Sequence, residues 1–124
     1  MITVKTTDKK GRGVFATEDI QTDQIFESAE ILLLKKEEIE FIEKTIIDEY
    51  VFVWGETCAL VLGNGMLYNH SYKPNARYVR DFENNKMHYV ALRPIKSGEE
   101  IRINYNGDPE CMDRLWFNVI DWCL

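Results

Sequence analysis

Asn69-His70-Ser71-Tyr72-Lys73-Pro74-Asn75 follows an apolar run, Ala59-Leu60-Val61-Leu62, and a glycine-rich turn, Gly63-Asn64-Gly65. Asn69, His70, Ser71 and Asn75 crowd around Pro74. Short polar side chains of this kind hydrogen-bond locally, so the segment offers donors and acceptors to its own backbone or to the edge of a ligand. Outward from it, Gly and polar clusters recur at roughly ten-residue spacing, the pattern of many short strands. The candidate strands are residues 13–16, 24–28, 31–34, 58–62, 76–82, 87–92 and 101–105. Residues 81–86 read as a hairpin turn, because Asn84 and Asn85 tolerate positive φ. Residues 93–98 read as a second connection, with Pro94 ending a strand and Gly98 closing the turn.

One stretch breaks the strand pattern. From residue 36 to about 53, Ile39, Ile42, Ile46, Tyr50 and Trp54 recur at three- and four-residue spacing, which predicts one amphipathic helix. Its outer face carries Glu37, Glu38, Glu40, Glu43, Asp48 and Glu49, an ordinary solvated face. A second short helix is predicted over residues 111–120, with Asp108 as N-cap and Pro109 in the first turn.

The chain has 124 residues, 45% hydrophobic and 29% charged, which suits a single domain over residues 1–124. No repeat, linker or low-complexity segment interrupts it. Its 15 Lys and Arg against 21 Asp and Glu give a net charge of -6. That balance argues against direct nucleic-acid binding, where a basic footprint supplies most of the affinity, and suits a basic peptide partner or simple solubility. The longest apolar runs are four or five residues, against the about 20 needed to span a membrane. The N-terminal residues lack an apolar signal core, so a cytoplasmic location is expected, or a nuclear one in a eukaryotic cell. Three cysteines, Cys58, Cys111 and Cys123, lack C-x-x-C spacing, which excludes a complete disulfide framework and a closed zinc site.

Three segments carry residues suited to chemistry. Lys10-Gly11-Arg12-Gly13 allows a tight turn and close backbone approach to a ligand, but it lacks the third glycine of a dinucleotide site and the ending of a phosphate loop. The second is the Asn69–Asn75 segment. The third, Ser97-Gly98-Glu99-Glu100-Ile101-Arg102-Ile103-Asn104-Tyr105, ends a strand in a phenol just before a glycine-containing turn. Each alone has a plain structural reading as turn, core histidine or rim tyrosine. The two histidines, His70 and His88, have no metal-ligand spacing, so no metal is expected. Cys58 paired with His70 as a nucleophile competes with a packed thiol, and its place at the head of an apolar strand favours the thiol.

In this order the three segments resemble the SET domain of protein lysine methyltransferases. The carrying motifs are Gly11-Arg12-Gly13, Asn69 through Asn75, and Gly98-Glu99-Glu100-Ile101-Arg102-Ile103-Asn104-Tyr105, so the resemblance runs from about residue 2 to 108. It implies a mostly β (α+β) fold of several small curved sheets, with a C-terminal pseudoknot, one inserted helix and a short C-terminal helix. It also implies methyl transfer from S-adenosylmethionine to a lysine amine in a basic protein or peptide, without metal, by a monomer or homodimer. The alternative is a catalytically idle SET module acting as a protein-interaction domain.

Residue by residue, the resemblance implies cofactor binding by Lys10, Gly11, Arg12, Asn69 and His70, with Tyr105 catalytic between the cofactor and the incoming amine. Three departures stand out. Met66-Leu67-Tyr68 replaces the family's Arg-Phe-Ile, removing a cofactor-contacting arginine. Glu27-Ser28 replaces a Glu-Tyr pair, removing a channel tyrosine. The zinc-binding Cys-x-Cys tail is absent, replaced by residues 109–124, an aromatic tail in which Trp116 is a candidate to stack on adenine. Tyr50 and Tyr78 are candidates for the substrate channel, Tyr78 by its offset from Pro74-Asn75.

Overall fold

The computed structural model describes residues 1–8 and 11–110. Among the described residues, nine strands form two sheets. In chain order they are β1 (Ile2–Thr7), β2 (Gly11–Ala16), β3 (Ile25–Leu33), β4 (Phe52–Trp54), β5 (Thr57–Val61), β6 (Asn69–His70), β7 (Ala76–Asp81), β8 (Lys86–Ala91) and β9 (Glu100–Ile103). The first sheet has the order β1-β2-β9-β6 and the second β4-β5-β3-β8-β7.

β3 curls the second sheet. Its first part, Ile25 to Glu30, pairs with β8 through an irregularity between Ile25 and Glu27, and its end, Ile31 to Leu33, pairs with β5. The two strands expected at 24–28 and 31–34 are therefore one. The hairpin of β7 and β8 turns where expected, with Asn85 at φ 52°. Three strands were not anticipated. β1 is rich in β-branched residues, a signal that was available, whereas β4 and β6 are three and two residues long and leave no periodic trace. β9 ends at Ile103, so Tyr105 lies beyond the strand expected to contain it.

The insertion between β3 and β4 is helical but broken, which corrects the single helix expected over 36–53. A 3-10 turn (Lys36–Glu38), the short helix α1 (Ile39–Ile42) and a second 3-10 turn (Ile46–Glu49) replace it. Thr45 makes the break: at φ -124°, ψ 165° it leaves the helical region. Its hydroxyl donates to the Ile42 carbonyl at 2.8 Å and accepts from Ile47 N–H at 3.2 Å. A local side-chain bond thereby substitutes for the helical ladder. No residue of these turns is buried, and Ile46 is 68% exposed, so the apolar spacing is not spent on packing. The expected helix over 111–120 lies outside the described residues.

The core joins the two sheets: Val14 and Ile101 of the first meet Met87 and Tyr89 of the second, all fully buried, with Ile20, Ile95 and Ile103. The feature that positions the site is the meeting of β6 and β9. These strands run parallel, Asn69 opposite Arg102 and His70 opposite Ile103. Asn75 latches the crossing. Its amide donates to Glu99 Oε2 at 2.9 Å and to the Glu100 carbonyl at 2.8 Å, and its Oδ1 accepts from Arg102 N–H at 2.8 Å. The segment of residues 99–104 is thus held beneath the loop of residues 69–75, and Tyr105 emerges directly beyond it.

Candidate active site

Gly11, Arg12 and Asn69 come together on the first sheet. Gly11 takes φ +70°, with open space where a side chain would be. The Asn69 amide donates to the Arg12 carbonyl at 3.1 Å and to Glu100 Oε2 at 2.7 Å. Gly13 permits this convergence, since a Cβ there would lie 2.5 Å from Glu100 Oε2 and 2.9 Å from Asn69 Nδ2. Lys10 and Trp116, also expected at the cofactor, lie outside the described residues.

His70 is buried and its ring fixes the position of Tyr105. Its Nδ1 accepts the Tyr105 backbone N–H at 2.9 Å, so that nitrogen carries no proton. The two rings are 5.2 Å apart. The Tyr105 hydroxyl donates to the Tyr68 carbonyl at 2.5 Å. Although 37% of the residue is exposed, burial of its phenol, followed by the fields of Tyr50, Glu100 and Tyr78, holds its pKa above the ordinary phenol range. Tyr105 is therefore a protonated donor rather than a base.

A cleft of about 520 Å³ opens beside this phenol. Tyr50, Tyr68, Tyr78 and Tyr105 line it, with Asp48, Glu49 and Arg80 as its charged residues. The channel candidates Tyr50 and Tyr78 thus share one cavity with Tyr105. Tyr78 packs edge-on against Phe52 at 5.1 Å, and its hydroxyl donates to the Tyr105 carbonyl at 3.3 Å. Tyr105 and Tyr78 both donate their hydroxyl protons to backbone carbonyls, and the Tyr78 oxygen also accepts from the Arg80 guanidinium.

The arrangement suits an amino-acid-bearing cofactor on one side and an amine on the other. Asn69 spends both amide hydrogens on Arg12 and Glu100, which leaves its Oδ1 as an acceptor for an α-ammonium group. The residues present therefore fit S-adenosylmethionine. Among the described residues no three His, Cys, Asp or Glu side chains converge to hold a metal, and no helix is long and apolar enough to cross a membrane. Cys58 is buried in β5, where burial and then the field of Asp48 push its thiol up, against any thiolate role.

The model of the SET domain family matches residues 11–106. The chain belongs to the SET-domain family. It is 40% identical over 116 residues to a histone-lysine N-methyltransferase of Schizosaccharomyces pombe specific for lysine 37 of H3, covering 92% of this chain and 75% of that protein. It also superposes on the crystal structure of a Plasmodium falciparum protein assigned as a histone methyltransferase. That match has a TM-score of 0.71 at 31% identity and covers 87% of this chain and 99% of the other.

This SET domain uses residues that the sequence reading passed over. Tyr68, standing where the family pattern has an aliphatic residue, is buried and stacked on Tyr89 at 4.5 Å. Its hydroxyl donates to Glu27 Oε1 at 2.6 Å while its carbonyl holds Tyr105. Glu27 also accepts the Asn64 N–H at 3.0 Å, tying β3 to the turn before β6. Ser28, where a channel tyrosine was missed, bonds His88 at 2.8 Å and is exposed. Tyr68 borders the cleft, with its ring buried and its hydroxyl bonded to Glu27. No short motif announces these contacts, because Glu27 and Tyr68 are 41 residues apart.

Proposed function

We propose that this SET domain transfers a methyl group from S-adenosylmethionine to the side-chain amine of lysine in a basic protein, and that histone H3 is the substrate to try first. The observation that carries the reading is the seating of Tyr105. His70 fixes its backbone and Tyr68 its hydroxyl, beside a cleft of about 520 Å³ lined by four tyrosines. Family membership and the relation to a histone-lysine methyltransferase support it.

When bound, S-adenosylmethionine supplies a methyl group already activated on a sulfonium. The chain's own work is then alignment and exclusion of water. Gly11, Arg12, Asn69 and His70 hold the donor. Tyr50, Tyr68 and Tyr78 enclose the lysine stem. The acceptor oxygens of Tyr105 and Tyr78 orient the amine and make weak contacts to polarised C–H groups. Burial among the aromatic rings of the cleft disfavours the lysine ammonium by desolvation, which frees the lone pair that attack requires. Asp48 and Glu49 present negative charge to a basic substrate segment. A nuclear setting follows if the substrate is a histone.

Titration calorimetry with S-adenosylmethionine, run beside methyl incorporation into an H3 tail peptide, tests the reading. Wild type should bind and methylate, and Asn69→Ala should bind about tenfold more weakly, the cost of about one ligand hydrogen bond. No binding heat and no incorporation by wild type would overturn it.

A further inference from the structure

Arg80 is a cation facing a cleft that must receive a lysine. It projects from β7 and is held rigidly: Nε donates to the Val53 carbonyl at 2.5 Å, and the guanidinium carbon lies 5.4 Å from the centre of the Tyr78 ring. The Tyr78 hydroxyl and Arg80 Nη1 come within 3.4 and 4.0 Å of the point a Gly107 Cβ would occupy. The guanidinium therefore sits beside the phenol that bonds the Tyr105 carbonyl. Among the described residues no carboxylate forms an ion pair with Arg80. Its side chain also hydrogen-bonds the Tyr78 hydroxyl, and it shares the cleft with Asp48 and Glu49, so its field acts on an occupant alongside theirs.

Other groups face the same space. Asp48 and Glu49 line the cleft from the 3-10 turn. Glu27 of β3 stands behind Tyr68, and Glu100 of β9 acts on Tyr105. Tyr50, Tyr68, Tyr78 and Tyr105 contribute phenols. A cation several ångströms from an amine at partly buried effective dielectric moves its protonation equilibrium by roughly one pH unit.

We infer that Arg80 biases the target lysine toward its neutral amine: the fixed guanidinium disfavours the ammonium in the cleft, and the proton lost passes to solvent. This rests on the lysine-methylation reading of the same cleft. A positive residue placed against a positive substrate weakens binding of the protonated form, and it gains the fraction of amine able to react.

The test compares wild type, Arg80→Gln and Arg80→Lys with two peptides, one carrying the target lysine and one carrying uncharged norleucine in its place. Peptide affinity is measured by fluorescence anisotropy with S-adenosylhomocysteine, which has no methyl to give. At pH 7 Arg80→Gln should bind the lysine peptide about tenfold more tightly, with norleucine affinity changed less than about twofold, and Arg80→Lys should resemble wild type. In turnover, the acid limb of kcat should move up by roughly one pH unit in Arg80→Gln while KM at pH 7 falls. If both peptides shift alike, or kcat falls equally at every pH, Arg80 is only a strut to Val53 and the inference is overturned. Arg80→Met, which keeps the stem packed on Tyr78, serves the same comparison if Arg80→Gln does not fold. Absence of lysine methylation by wild type at every pH refutes the underlying reading instead, a distinct result.

Discussion

Tyr78 reaches the cleft from β7 with its hydroxyl on the Tyr105 carbonyl, so its oxygen faces the space into which a methylated amine must expand. On the proposed reading, that phenol takes up space that a second methyl group would need. Ile103, two residues before Tyr105, is fully buried in the core, which leaves the restriction to Tyr78. The expected product is mainly monomethyl-lysine, shifting toward dimethyl-lysine in Tyr78→Phe, where loss of the hydroxyl frees the space. Mass spectrometry of the product peptide reads this directly, and abundant trimethyl-lysine from wild type would end it. At this scale the sequence was informative where a motif fixed position. Tyr50, Tyr78 and Tyr105 line the cleft, His70 bonds the Tyr105 backbone, and Gly11, Arg12 and Asn69 converge on the first sheet. Tyr68, Glu27 and Arg80 were illegible because their roles depend on contacts with distant segments.

The β7–β8 hairpin is the element whose stability depends most plainly on pH. His88 Nε2 and Asp81 Oδ2 are 3.0 Å apart, and the Asn84 amide and backbone add bonds to Asp81. The hydrogen bond from His88 first, and those from Asn84 next, lower the Asp81 carboxyl to about 2. The unfolded value is about 3.9, so the unfolded chain binds the proton more readily and the contribution is present above about pH 4. It is lost as pH falls through about 2. Thermal melts of wild type and Asp81→Ala should therefore differ at pH 6 and converge as pH falls below about 4. A gap that persists undiminished at pH 2 would contradict this. Elements with strong local signals, β2, β5, β7 and β8, were legible to within a residue or two. The broken helix was not, because one threonine side chain competed successfully with the helical ladder that the apolar spacing suggested.

Across the whole molecule, the crossing of residues 69–75 over residues 99–104 decides where the site forms. Its parallel pairing of β6 with β9 joins strands about 30 residues apart, and such non-local pairing leaves no periodic mark in either segment. Only the resemblance to a known fold made it legible. Asn75, quoted within the motif but given no role, is its pivot. Asn75→Ala leaves the buried Arg102 N–H and the Glu100 carbonyl without their partner, so it should destabilise by about 3 kcal/mol, read from denaturant midpoints. A loss below about 0.5 kcal/mol would show that the crossing holds without its latch. The central claim is that this crossing delivers Tyr105 to a lysine-methylating cleft, and a single comparison tests it most directly. Wild type and Tyr105→Phe, both folded and both binding S-adenosylmethionine, are incubated with the H3 tail peptide, and the product is sequenced by mass spectrometry. The account predicts methyl-lysine from wild type and a loss of about 10²–10³ in rate from the variant, since only the hydroxyl at the reacting centre is removed. Equal rates from the two proteins would contradict it.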